Sequence, residues 1–323
     1  MNNKLLYFPY INIPDKPWSM RSVLYWDDVG AIVPSIYREK PNHLERNMLE
    51  LVKANLVTQV FPGSFVRSIP NFDESFLKIL NKKNFDLEKR RKNYKKEKVS
   101  KIHVEKLGNT LVKELVGLGI ANKSPHEWGW YYVESKTARL FMMYLATLIS
   151  KAGGYTPATD NPKNIDFTIE QKGFFKKDQK ARGELLKDLM PYFGNPDFGR
   201  LRKFKDKNHD QLKDFRNLIE ATIIEVNNVK KDKRKKYLKL KVDEINYYRE
   251  IIYAKLNESK IGKIIFGSIF GLTQAVLAYS VANQFQSGFE IGNAIYEAFQ
   301  GYDNVKAMPN RVTYLALLDK ELK

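Results

Sequence analysis

At 323 residues, with 43% hydrophobic and 13% aromatic side chains, the chain is too apolar to be disordered and long enough for about two domains of ordinary size. It has no cysteine, which excludes disulfides, thiolate metal sites and a cysteine nucleophile. A formal charge of +18 raises affinity for phosphate polymers, anionic lipid or an acidic protein without choosing among them.

The first residues, MNNKLLYFPYINIPDKPW, are too polar and too soon interrupted by proline for a secretory leader, so a cytoplasmic protein is expected. LLYFPYI (Leu5 to Ile11) reads as a strand, broken between Asn12 and Pro17. WSMRSVLYWDDVGAIVP then carries Met20, Val23, Leu24, Asp27 and Ile32 at helical spacing and predicts a helix ending before Pro34. Asp27 and Asp28 would sit on its rim or pair with a cation such as Arg21. A second helix follows over HLERNMLELVKANLV, with Leu44, Met48, Leu51 and Val52 on one face. VTQVF reads as a strand stopped by Pro62, and FDESFLKILNKK as a helix capped by Asp73.

Residues 134 to 152 form the most apolar helix of the first half, ended by GGYTPATDNP. IDFTIEQKGFF suggests a strand or hairpin. From Arg182 the pattern is almost wholly helical. One stripe comprises Leu212, Phe215, Ile219, Thr222, Val226 and Val229; another comprises Leu238, Ile245, Tyr248, Ile252 and Leu256. KKDKRKK lies between them, so the pattern is either a helical pair or one very long helix. The expected fold is therefore α+β and mainly α-helical, with a mixed portion over 1–181 holding a few short strands and a helical portion over 182–323.

Charge is concentrated. Lys82 to Lys106 holds eleven basic residues against four acidic ones, including Lys89, Arg90, Arg91, Lys92, Lys95 and Lys96. Lys230 to Lys241 holds eight against Asp232 alone, including Lys230, Lys231, Lys233, Arg234, Lys235 and Lys236. Solvated helix faces often carry such runs, but their concentration points to an anionic partner, nucleic acid or an acidic protein. Lysine outnumbers arginine in both, which suits phosphate backbone better than base edges. Tyr94 and Tyr237 are placed to stack on bases.

Catalytic signals are sparse. His43, His103, His126 and His209 are widely separated, and no Walker loop, GxGxxG or GxSxG occurs. Asp160, Glu170 and Lys172 form an Asp…Glu-x-Lys spacing of the kind used by metal-dependent nucleases, where two carboxylates hold a hard cation and lysine positions the water. No cofactor and no other metal site is expected.

Residues 264 to 289 carry no charge and, as a helix, would reach roughly 39 Å, longer than the roughly 30 Å hydrocarbon core. Gly267 and Gly271 form a GxxxG, and Thr273, Ser280 and Gln284 share a polar face. The stretch reads first as a helix packed in a protein core. The alternative is a homo-oligomeric effector inserting into the inner membrane.

YFPYINIPDKPW, SVLYWDDVGAIVP, ELVKANLVTQVFP, FMMYLATLISKAGGYTPATD, HDQLKDFRNLIE and NRVTYLALLDKEL together resemble a bacterial family of unknown function. The resemblance touches nearly the full length in islands, but omits the basic segment Lys89 to Lys98. It implies no activity, cofactor or catalytic residue, and is compatible with an accessory role in mobile elements or phage defence. The residues themselves read as a non-enzymatic binding or scaffold protein acting through its basic runs, with the membrane effector and the nuclease as alternatives.

Overall fold

The computed structural model describes residues 3–81, 85–160, 174–190, 192, 194, 196–258 and 308–322. The fold is mainly helical α+β, with short strands in two small sheets. The chain divides into two compact units, Met1–Gly173 with Asp197–Arg202, and Phe174–Pro196 with Lys203–Lys323.

In the first unit, β1 (Lys4–Tyr7), α1 (Pro17–Tyr25), β2 (Asp28–Ile32), α2 (Ile36–Glu39), a 3-10 turn (Pro41–His43), α3 (Arg46–Lys53) and β3 (Val57–Val60) come first. Then follow α4 (Pro62–Ser68), α5 (Phe72–Leu80), α6 (Leu87–Lys95), β4 (Val99–His103), α7 (Val104–Leu107), α8 (Asn109–Gly117), β5 (Ala121–Lys123), β6 (Trp130–Glu134), α9 (Ser135–Gly153) and β7 (Tyr155–Ala158). One sheet has the order β3-β2-β1-β7, and every pair in it is parallel, with Leu5 opposite Val29, Ala31 opposite Gln59 and Tyr7 opposite Ala158. The other is antiparallel, β4-β6-β5.

Two expectations change here. The helix expected to run to Pro34 ends at Tyr25, and Asp28–Ile32 is a strand between β1 and β3. A short apolar run has no period that separates a buried strand from a helix turn, and burial on both faces decided it. Gly30 explains why the neighbour fits so closely, since a Cβ there would lie 2.9 Å from Val60 Cγ2. The second change concerns α5. Its N-cap is Asn71, in the left-handed conformation at φ +53°, and Asp73 lies in the first turn. Pro157 sits in β7 at the edge of the parallel sheet, where a missing N–H breaks no ladder.

α9 is the spine of this unit. Phe141, Leu145, Ala146 and Ile149 are completely buried, and Phe141 meets the edges of Phe72 and Phe76 at 6.2 and 5.2 Å. The buried Tyr144 hydroxyl donates to Phe72 O at 2.7 Å, so its polar tip is satisfied inside the core. Gly154, left-handed at φ +68°, ends the helix as the Gly-Gly pair predicts.

The second unit is helical: α10 (Phe174–Leu189), α11 (Phe198–Lys207, which the first unit shares), α12 (His209–Asn228), α13 (Arg234–Glu258) and α14 (Met308–Leu322). The two apolar stripes are separate helices, and Tyr237 in α13 donates to Glu225 in α12 at 2.8 Å. α14 packs on both, stacking Tyr314 on Phe215 with centroids 5.9 Å apart. Arg249 grips Asp319 with both sides of its guanidinium and donates to Leu189 O at 3.0 Å. Among the described residues, no helix is long and apolar enough to cross a membrane. Residues 264–289, with Gly267, Gly271, Thr273, Ser280 and Gln284, lie outside the described residues, as does IDFTIEQKGFF up to Gly173.

Candidate polyanion-binding face and cleft

α6 holds much of the first basic run, and the structure sorts its cations by chemistry. Asp86 caps the helix, accepting from Lys89 N–H at 2.9 Å. Arg90 turns into the fold, and Arg91 lies partly exposed against its surface. Arg90 lies over the Phe85 ring at 5.1 Å and reaches Glu134 at 3.5 Å, whose side chain is 1% exposed. Glu134 also accepts from Asn93 Nδ2 at 3.2 Å and from the N–H and hydroxyl of Thr137, each at 2.8 Å. A buried carboxylate is tolerable because these donors surround it. Arg91 donates to Leu118 O and to Glu88, both at 2.8 Å. Lys89, Lys92, Lys95 and Lys96 are left exposed to solvent.

Beside this face is a cleft of about 450 Å³, lined by Lys89, Asn93, Glu97, Lys98, Val99, Glu134, Ser135, Lys136 and Arg139. It is built where α6 ends, β4 begins and α9 starts, with Ser135 N–H donating to Lys98 O at 2.9 Å. Lys98 belongs to the basic run counted in the sequence, whereas Lys136 and Arg139 were not singled out there. Lys136 and Arg139 lie more than forty residues past the end of α6, and the β4–β6 pairing, with the bonds of Arg90 and Asn93 to Glu134, brings them beside it.

The second run is used differently. Lys230, Lys231, Lys233, Lys235 and Lys236 are exposed, in the link between α12 and α13 and at the start of α13. Arg234 closes the end of α12, donating to Val229 O at 2.9 Å and to Asn227 O at 2.8 Å. Lys241 sits between Glu225 and Glu244, each at 3.3 Å. Tyr237 is half-buried on the same cluster; burial and then its bond to Glu225 push its hydroxyl up to about 12. Tyr94 is also half-buried, its pKa raised by burial and partly offset by a hydrogen bond with Asn122.

The carboxyl edge of the parallel sheet is the other place where chemistry-bearing groups meet. Strand order reverses between β1 and β7, the position at which open parallel sheets bind ligands. Here Asp160 accepts from Tyr7 Oη at 3.1 Å and pairs with Lys16 at 2.9 Å. The carboxylate is 5% exposed against 57% for Lys16. Burial, then Asp160, raises the Tyr7 pKa far above its ordinary value, and the hydrogen bond to Asp160 raises that of Lys16. Both oxygens of Asp160 are thus engaged within the fold, and Glu170 and Lys172 lie outside the described residues. Among the described residues no group of three His, Asp or Glu side chains is placed to hold a metal ion.

A third cluster was not legible in the sequence. Glu105 accepts from Ser35 N–H at 2.5 Å and from the Ser35 hydroxyl. His103, 3% exposed, accepts from Glu105 N–H at 3.4 Å, and its Nε2 has no hydrogen-bond partner among the described residues. Burial lowers its pKa, Glu105 opposes that and Lys106 adds to it. Lys106 is itself 3% exposed, and burial brings its ammonium down to about 7.

Comparison with known proteins finds no matching family model, no matching curated protein and no matching solved structure. The resemblance read in the sequence therefore assigns no activity.

Proposed function

We propose that the chain is a non-enzymatic nucleic-acid-binding protein that grips phosphate backbone through the lysine face of α6. One observation carries this reading. The arginines of the run are engaged by Glu134, Leu118 O and Glu88, while Lys89, Lys92, Lys95 and Lys96 stand exposed along one helix and its C-cap. Lysine is a compact point charge that neutralises phosphate without the planar fork used to read base edges, so binding is sequence-independent.

The test is fluorescence anisotropy with a single-stranded oligonucleotide over a salt series. A linear fall of log affinity with log salt is expected, with slope near −0.7 for each phosphate contacted, roughly −2 to −3 for this face. Affinity that ignores salt sinks the reading. Competition by polyglutamate as strong as by nucleic acid would reassign the face to an acidic protein partner.

A further inference from the structure

We propose that the cleft beside α6 is a binding site for a terminal phosphoryl group, the dianionic monoester found at the end of a nucleic acid strand or on a free nucleotide. The proposal rests on the reading of the α6 face above, and adds a ligand class to the cleft next to it.

Four cations line the cleft: Lys89, Lys98, Lys136 and Arg139. None of their side chains makes an ion pair or hydrogen bond among the described residues, although nearby cations of this unit do pair, Arg91 with Glu88 and Lys101 with Glu127. Arg139 is the informative one. It is half-buried on the cleft wall, and its guanidinium, still open to solvent there, offers five N–H donors that no acceptor among the described residues takes up. Its fork fits two oxygens of one phosphate.

The carboxylates do not cancel this charge. Glu134 is held by Arg90, Asn93 and Thr137, so its acceptors are occupied. That leaves Glu97 as the other acidic group on the wall. Four cations against two carboxylates match a dianion better than a phosphodiester, which carries one charge and is served by the exposed face of the helix. The cleft volume of about 450 Å³ is within the roughly 300–1,000 Å³ range of small-molecule sites, so a phosphate with its sugar fits.

The experiment compares one oligonucleotide with and without a 5′-phosphate, each titrated against the full chain and against Arg139→Gln and Lys136→Gln. AMP and pyrophosphate serve as competitors and, by calorimetry, as ligands on their own. The phosphorylated strand is expected to bind about tenfold more tightly, and either substitution to remove that advantage while leaving the unphosphorylated strand within about twofold. Lys136 is exposed, so its replacement keeps the test open should the Arg139 variant fold poorly. Competition by AMP at low concentration identifies a free nucleotide as the source; competition only by phosphorylated strands identifies an end. Binding of AMP or pyrophosphate with no binding of either strand upholds the cleft and overturns the backbone-binding reading. Equal affinity for the two strands with no calorimetric signal from AMP or pyrophosphate overturns the cleft, as does a 5′-phosphate advantage that survives both substitutions.

Discussion

The two basic runs carry the same net charge in sequence and are put to different use. In the first, arginines hold a buried carboxylate and a backbone carbonyl of the first unit, and exposed lysines adjoin a cleft rimmed by further unpaired cations. In the second, Arg234 closes a helix end, Lys241 is absorbed by Glu225 and Glu244, and the remaining lysines coat the link between two helices and the start of α13. A charge count cannot tell these apart. Both leave lysines exposed, and what separates them is the cleft beside the first, where Lys98, Lys136 and Arg139 add to the exposed lysines of α6.

The largest effect expected from this contrast is on affinity. Reversing Lys92, Lys95 and Lys96 to Glu should weaken oligonucleotide binding at least about a hundredfold, since three attractive contacts become repulsive. Reversing Lys231, Lys235 and Lys236 changes the net charge identically and should cost about threefold, through the long-range field alone. Equal losses would erase the distinction and make binding a matter of total charge.

The arginines should behave in the opposite sense. Arg90→Gln is expected to lower stability by roughly 2 kcal/mol, the range for a hydrogen bond to a buried charge, while affinity for an unphosphorylated strand stays within about twofold. Urea unfolding alongside anisotropy separates the two. Loss of affinity with unchanged stability would place Arg90 on the binding face after all.

How far the sequence anticipated this depends on the range of each interaction. Helix α9 was legible, because ten of its residues are buried and its apolar content and closing glycines are local signals. β3 was legible for similar reasons. β2 was not, because a buried parallel strand is defined by neighbours on both sides, here β1 and β3. The lysines of α6 were visible as a run. Lys136 and Arg139 were not, because their place beside Lys89 comes from the β4–β6 pairing. His103 stands two residues before Glu105 and Lys106 directly after it, yet nothing in that spacing announces burial.

Lys106 sharpens the comparison from within the first run, since it is a lysine that never reaches solvent. Its folded pKa of about 7 lies below the ordinary 10.5, so between those values the unfolded chain binds more protons than the folded one. Its contribution to stability is therefore fully present above 10.5 and is lost as pH falls through about 7. His103, also lowered by burial, pushes the same way at lower pH. Lys106→Met should raise the Tm at pH 6 by several degrees, on the order of 1 kcal/mol or more for a chain of this size. The advantage should shrink towards pH 10. A gain independent of pH, or a loss at pH 6, would show that Lys106 has a partner worth its burial.

The smallest effect expected is at Arg234, and it tests the second run on its own terms. The guanidinium donates to Val229 O and Asn227 O, carbonyls at the end of α12 that the helix itself leaves unpaired. Arg234→Gln should therefore cost about 1 kcal/mol in urea unfolding, two neutral-acceptor hydrogen bonds partly replaced by water. Lys235→Gln, its exposed neighbour, removes the same charge and should cost nothing measurable. If the two variants are equally stable, the arginine is one more solvated cation. The sorting of arginine from lysine would then hold in the first unit alone.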